Sequence, residues 1–229
     1  MKKIYLITGA SSDIGTALIS TLAAKEPTSK FYCQYRTKLN LDLPNIVPIQ
    51  ADLSDKKGSF GLIEQVHETP THIVHLPSGS FQHMRLKDIK REMLENQLEI
   101  GLYSLLGIFK AFLPKMSKNK YGRVSVVLSR YVKNLPPKFL TDYVVSKYAM
   151  LGLVRSAAVE YEGKGIFINA VSPEMTQTKF LSAVDERIIE NAANTSRLGR
   201  LLTPEEVAAC IEYLLSDTAV MSGENLSIG

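Results

Sequence analysis

Along the chain, short apolar runs rich in β-branched and aromatic residues alternate with longer segments whose apolar residues return every three or four positions. The first kind predicts strands at Ile4–Ile7, Phe31–Tyr35, Ile46–Leu53, Thr71–Leu76, Val124–Leu128, Gly165–Val171 and Asn225–Ile228. The second predicts helices beginning near Ala17, over Ser54–Val66, in two pieces across Leu86–Met116, from Tyr143 to about Tyr161, and from Pro204 to Leu215. Thr203 precedes the last of these as an N-cap, with Pro204 at the first helical position and Glu205 and Glu206 in the first turn. Strand and helix alternate without a linker, repeat or low-complexity tract. That order implies one α/β domain over residues 1–229, built on a doubly wound parallel sheet with helices on both faces.

Two segments depart from the pattern. The second helical piece, Asn96–Met116, carries leucines, isoleucines and phenylalanines from Leu98 to Leu113 on nearly every side. It needs cover from the sheet and from something else, which predicts a homodimer or homotetramer. Lys179–Arg200 is mixed and polar, with helical pieces at best, and such a segment after a strand end predicts an active-site lid.

Composition narrows the function classes. The chain is 45% hydrophobic and 8% aromatic, ordinary for a protein that buries a core. Its formal charge of +4 is spread without a basic run, which argues against a nucleic-acid partner. The apolar run after Met1-Lys2-Lys3 stops at Thr8-Gly9, too soon for a signal peptide, and no stretch approaches a membrane span. A soluble cytoplasmic protein without a membrane partner is the expectation. Cys33 and Cys210 sit in apolar stretches without metal-ligand spacing, so they read as core residues of a reducing compartment, with no metal site.

Candidate chemistry begins at the first strand. Thr8-Gly9-Ala10-Ser11-Ser12-Asp13-Ile14-Gly15 joins a strand to a helix, the order that binds a phosphate. Gly9 lets the backbone leave the strand sharply, Ser11 and Ser12 offer hydroxyls, and the helix N-terminus offers N–H groups and a positive dipole end. Asp13 stands where a glycine is expected; we read it as a helix cap that also carries negative charge towards the phosphates. Arg36 follows the second strand with no acid nearby, which suits a 2′-phosphate, and Lys38 is placed to assist it. Asp52 ends the third strand with a carboxylate able to accept from an adenine amino group. Ser129 ends the fifth strand. Tyr143 and Lys147 lie four residues apart on a helix, so they share a face, and a neighbouring ammonium favours the phenolate. Such a pair suits proton transfer to an alkoxide.

Taken together, the chain resembles the short-chain dehydrogenase/reductase family over essentially its whole length. The resemblance rests on the Thr8–Gly15 turn, Gly122-Arg123 with Ser129, Tyr143 with Lys147, Asn169-Ala170-Val171-Ser172-Pro173 and Pro204-Glu205-Glu206-Val207-Ala208 in the family's order. It implies a Rossmann-type fold and hydride transfer between a nicotinamide and a carbonyl carbon. Tyr143 would be the general acid or base, Lys147 would lower its pKa and hold the nicotinamide ribose, and Ser129 would hold the substrate oxygen. By the same resemblance Gly9, Ser11, Ser12, Ile14 and Gly15 would hold the cofactor, Asp52 and Leu53 its adenine, and Pro173 to Thr178 would flank the nicotinamide. NADP(H) is expected over NAD(H) because of Arg36.

Departures from the family are Asp13, His75-Leu76-Pro77-Ser78 in place of Asn-Asn-Ala-Gly, Gly101 in place of a helix asparagine, and Glu174 after Pro173. Gly101 would keep the main-chain carbonyl that holds a water leading to the lysine, with Gln97 one turn earlier near the vacant space. The leading expectation is an NADPH-dependent reductase of a small-molecule ketone, with a 3-oxoacyl thioester first among substrates. Phe81, Met84, Leu135, Phe139, Met175 and Phe180 are candidates for an apolar pocket. Arg130, Lys133, Lys138 and Lys179 are candidates to meet an acidic phosphopantetheine carrier or coenzyme A. The departures motivate an alternative, a cofactor-binding or regulatory protein on the same scaffold. An epimerase or dehydratase is a third class, disfavoured because the chain lacks a longer C-terminal substrate domain.

Overall fold

A computed structural model describes residues 2–80 and 83–229. Seven strands, β1 (Ile4–Thr8), β2 (Lys30–Tyr35), β3 (Ile46–Gln50), β4 (His72–His75), β5 (Gly122–Val127), β6 (Ile166–Pro173) and β7 (Asn225–Ile228), form one sheet. Its order is β3-β2-β1-β4-β5-β6-β7, and every pair is parallel. The order reverses between β1 and β4, where a doubly wound sheet opens a crevice at its C-terminal edge. Among the described residues seven α-helices connect the strands: α1 (Asp13–Lys25), α2 (Lys56–Gln65), α3 (Arg91–Leu98), α4 (Ser104–Lys118), α5 (Thr141–Glu160), α6 (Glu186–Thr195) and α7 (Pro204–Leu215).

The core has two layers because the sheet is covered twice. On one face Leu62 of α2, Leu105, Phe109 and Phe112 of α4, and Met150 and Val154 of α5 pack on Leu6, Ile73, Val124 and Ile168. On the other, Leu18, Ile19 and Leu22 of α1 and Val207, Ile211 and Leu214 of α7 pack on Tyr5, Ile7, Val74 and Val171. Strands buried on both faces explain the unbroken apolar runs. Pro48 is tolerated because β3 is an edge strand.

Across the N-terminal half of the sheet the register aligns Phe31, Tyr5, His72, Arg123 and Phe167 on five neighbouring strands. Tyr5 stacks on Phe31 at 4.7 Å and on His72 at 4.5 Å between ring centres, and the Arg123 guanidinium lies 4.5 Å from the Phe167 ring centre. This row ties the strand starts together at the end remote from the crevice.

Several expected boundaries move. The third strand stops at Gln50, so Asp52 lies in the following loop, where its oxygen accepts from the Ser54 N–H at 2.9 Å. The sixth strand runs on to Pro173. No break precedes Asn96; α3 starts at Arg91, passes through one π-helical turn, Glu99–Tyr103, and continues as α4. A π-turn widens the helix by one residue and leaves carbonyls turned outward to take side-chain donors. Lys179–Arg200 contains a short turn, Lys179–Ala183, and α6, of which no residue is buried. No described helix is long and apolar enough to cross a membrane.

Candidate active site

The C-terminal ends of β1, β2, β4, β5 and β6 open into one cavity of about 1130 Å³. That exceeds the roughly 300–1,000 Å³ of an ordinary ligand pocket and leaves room for a dinucleotide beside a substrate. At its nucleotide end, Gly9 adopts φ +71°, and a Cβ there would lie 3.2 Å from the Pro77 nitrogen. A Cβ on Gly15 would stand 2.7 Å from the Gly9 carbonyl oxygen, so the turn needs glycine at both positions. Ser12 is the N-cap of α1; its hydroxyl donates to the Gly9 carbonyl at 2.7 Å and accepts the Gly15 N–H at 3.1 Å. Asp13 therefore does not cap α1 as expected. Its carboxylate accepts the main-chain N–H of Lys179 at 2.6 Å.

A residue missed in the sequence organises this end. Gln34, buried at the end of β2, accepts the Gly9 N–H at 2.8 Å and donates to the Ala51 carbonyl at 2.7 Å. It locks the glycine turn to the strands on either side, and an amide inside an apolar strand was the signal available. Ser11, Ile14, Arg36, Asp52 and Leu53 all line the cavity. Ser54 hydrogen bonds hold the Asp52 carboxyl below the usual range, and the nearby Arg36 charge adds to this.

The reaction end is built on β5 and α5. Ser129 follows β5 and is buried; its hydroxyl accepts the Tyr131 N–H at 3.4 Å and lies close enough to the Tyr143 phenol to act on its ionisation. Burial pushes that phenol up to about 12, opposed by the Ser129 hydroxyl. Lys147 is buried on the same helix face, 5.7 Å from the Tyr143 ring centre. Its ammonium donates to the Val127 carbonyl at 3.0 Å, and burial lowers it to about 8. Its hydrogen bond goes to a strand carbonyl, while its charge lies beside the Tyr143 ring. Pro173 ends β6 and Thr178 leads into the Lys179–Ala183 turn; both line the same cavity.

The departures acquire partners. His75 is fully buried; its Nε2 lies 3.1 Å from the Gly101 carbonyl and its Nδ1 2.8 Å from the Thr8 hydroxyl. A carbonyl only accepts, so Nε2 carries the proton and the Thr8 hydroxyl donates to Nδ1. Burial, with the Lys147 charge second, pushes His75 down to about 3. The Gly101 carbonyl, expected to hold a water, thus takes an imidazole donor. A Cβ at Gly101 would lie 2.9 Å from Met150 Sδ and 3.0 Å from Ser146 Oγ, so glycine allows the π-turn to pack closely on α5. Gln97 does not fill that space; its side-chain amide donates to the Ser80 carbonyl at 2.8 Å, and its main-chain carbonyl accepts from Ser146 at 3.0 Å. Glu174 pairs with Arg130 at 2.6 Å.

Of the expected apolar lining, Leu135, Phe139, Met175 and Phe180 reach the cavity and Met84 does not, while Phe81 lies outside the described residues. Phe139 holds φ 72°, an uncommon conformation for a bulky residue. Among the candidate cations Arg130, Lys138 and Lys179 line the cavity, and Lys133 does not. Arg187 of α6 and Tyr131 also face it and were not anticipated. The described residues contain no cluster of three or more His, Cys, Asp or Glu able to hold a metal.

A family profile described as enoyl-(acyl carrier protein) reductase matches residues 15–228. The chain belongs to the short-chain dehydrogenase/reductase family. As a member it is an oxidoreductase of the class that uses nicotinamide cofactors. It is 29% identical over 238 residues to the 3-oxoacyl-[acyl-carrier-protein] reductase FabG of Thermotoga maritima, covering 99% of this chain and 96% of that one. It is 28% identical over 240 residues to the oxidoreductase YmfI of Bacillus subtilis, covering 100% and 98%. Among solved structures, a 3-oxoacyl (acyl-carrier-protein) reductase from Agrobacterium tumefaciens with NADP bound superposes with a TM-score of 0.86 at 24% identity, over 99% of this chain and 92% of that one. A 4-hydroxyisoleucine dehydrogenase complexed with NADH gives 0.89 at 22% identity, over 99% and 97%. These two superpositions speak to the fold alone.

Proposed function

We propose that this short-chain dehydrogenase/reductase reduces a ketone to a secondary alcohol with NADPH, Tyr143 acting as proton donor and a 3-oxoacyl thioester as the first substrate class. The observation that carries the reading is that Ser129, Tyr143 and Lys147, all buried, line the wall of a cavity continuous with the glycine turn and Arg36. The bound nicotinamide would supply the hydride. The chain's own residues have four tasks: to bind, to orient, to exclude water and to move one proton.

Gly9, Ser11, Ser12, Ile14 and Gly15 fit a pyrophosphate, since the turn is tight and opens on a helix N-terminus. Arg36 fits a 2′-phosphate, and Asp52 with Leu53 fits an adenine. Tyr143 and Lys147 would hold the nicotinamide ribose, and Pro173 and Thr178 would flank the ring. With its phenol held near 12, Tyr143 keeps its proton through the neutral range and has it to give. Ser129 then has one hydroxyl to share between the substrate oxygen and the phenolate left behind. Lys147, a cation below about pH 8, supports that phenolate by charge. The substrate chain would lie against Leu135, Phe139, Met175 and Phe180, with Lys138 at the mouth suited to a phosphopantetheine carrier or coenzyme A.

A homodimer or homotetramer forms part of the proposal. Tyr103 at the end of the π-turn, Leu106 on α4, and Val145 and Tyr148 on α5 remain substantially exposed on the outer helical layer. Light scattering at micromolar concentration should give a multiple of 25.4 kDa; a monomer would remove this part.

The test is NADPH oxidation with 3-oxoacyl thioesters, simple ketones and enoyl thioesters. Turnover with a ketone supports the reading, whereas turnover confined to the enoyl compounds replaces it with carbon–carbon double-bond reduction. Arg36→Asp should invert the preference between NADPH and NADH; unchanged efficiencies would place 2′-phosphate recognition elsewhere. A regulatory cofactor-binding protein is the second reading, favoured by the Asp13 carboxylate on the phosphate turn. Nucleotide binding without turnover on any compound would select it.

A further inference from the structure

We propose that Asp13 is a positioning residue of the cofactor site that latches the loop after β6 onto the glycine turn; this rests on reading that turn as a dinucleotide site. The root of the loop is already tied by main chain, Gln177 N–H to the Leu202 carbonyl at 2.8 Å and Leu202 N–H to the Met175 carbonyl at 3.1 Å. Its tip carries the Lys179–Ala183 turn, and Thr178, in the capping position, makes no side-chain cap. The first N–H of such a turn has no partner within the turn itself. Here it is taken by Asp13 Oδ2 at 2.6 Å from 166 residues away, while the Lys179 ammonium lies 3.9 Å from Oδ1.

The helix that carries Asp13 does not need this carboxylate as a cap, because Ser12 already accepts the Gly15 N–H. Asp13 and Lys179 both line the cavity, so their bond joins the phosphate turn to the loop bearing Thr178. The loop is thereby set over the site by a side chain that a glycine at this position would not provide. A negative charge on a phosphate-binding turn opposes the ligand, so the benefit must come from what the carboxylate holds. The bond itself requires only an acceptor oxygen. Asparagine at position 13 keeps an acceptor and drops the charge, whereas glycine drops both.

The experiment compares the parent protein with Asp13→Asn and Asp13→Gly in two ways. Limited trypsin digestion without added nucleotide reads cleavage within residues 179–200, where Lys179, Arg187, Arg197 and Arg200 are the sites. Stopped-flow fluorescence reads NADPH release. Asp13→Gly should accelerate both by about fivefold or more, whereas Asp13→Asn, which keeps a neutral hydrogen bond and removes a charge opposed to the ligand, should accelerate neither by more than about twofold. Rates within twofold in Asp13→Gly would overturn the latch. Equal loosening in both variants would also overturn it, by assigning the effect to charge rather than to the bond. If the parent bound no NADPH, the proposed function would fail, while the digestion comparison would still decide the latch.

Discussion

A buried cation meets each end of β5, Arg123 from within the strand and Lys147 from α5, and the two are held in opposite ways. Arg123, second in the strand, donates to the Gly122 carbonyl at 3.0 Å and the Gly165 carbonyl at 3.4 Å, and its Nε to the Ser216 carbonyl at 3.4 Å. It also pairs with Asp217 at 3.0 Å and lies between the rings of Tyr121 and Phe167, 4.7 and 4.5 Å from their centres. At the other end Lys147 has one hydrogen bond among the described residues, to the carbonyl of Val127, the last residue of the strand. A guanidinium whose donors are satisfied serves the fold. An ammonium with donors to spare has a cavity in front of it and a pKa pulled down to about 8, the marks of a group held for chemistry.

Exchanging each cation for methionine sharpens this contrast most strongly. Lys147→Met should lose at least about a hundredfold in kcat for ketone reduction, yet unfold at higher denaturant, gaining about 1–3 kcal/mol, because burying the ammonium opposes folding. The sign follows from the shift: a lysine lowered from 10.5 to about 8 carries its full cost below pH 8, relieved between about 8 and 10.5. Reduction by the parent enzyme should correspondingly decline as pH rises through about 8. Arg123→Met should do the reverse, losing about 2 kcal/mol of stability with kcat within about threefold of the parent. Loss of stability in both variants, or loss of activity in both, would break the contrast.

A smaller effect concerns the two buried imidazoles. His72 lies in the stacked row and His75 beneath the site, and burial lowers both to about 3. Each is neutral in the fold and takes up a proton more readily when unfolded, so stability is full above about pH 6.5 and declines as pH falls towards 3. His75→Gln, whose amide can donate to the Gly101 carbonyl and accept from Thr8, should flatten the fall between pH 7 and 4.5 by about 2 kcal/mol in urea titrations. An unchanged slope would mean that other groups govern acid unfolding.

Much of this was legible in local pattern. Seven strands lie near their predicted places because runs such as Ile4–Ile7 and Val124–Leu128 are buried on both faces and admit no polar interruption. The Tyr143 and Lys147 face followed from helical spacing alone. The misses are contacts that spacing does not encode. The π-turn at Gly101 depends on α5 packing against it through Ser146 and Met150, some fifty residues further along the chain. Asp13 looked like a cap for its own helix, but its partner is 166 residues away. Likewise the approach of Lys147 to Tyr143 was visible in sequence, while the Val127 carbonyl that takes its hydrogen bond required the fold.

The most direct test of the account is a comparison of Tyr143→Phe with the parent in single-turnover NADPH oxidation with a 3-oxoacyl thioester at pH 7, after NADPH binding has been shown for both. The variant keeps the ring and its place over Lys147 but has no proton to give. The account predicts NADPH affinity within about threefold and a rate of oxidation at least about a thousandfold lower, equivalent to roughly 4 kcal/mol of barrier. Oxidation within tenfold of the parent would contradict the assignment of Tyr143 as proton donor.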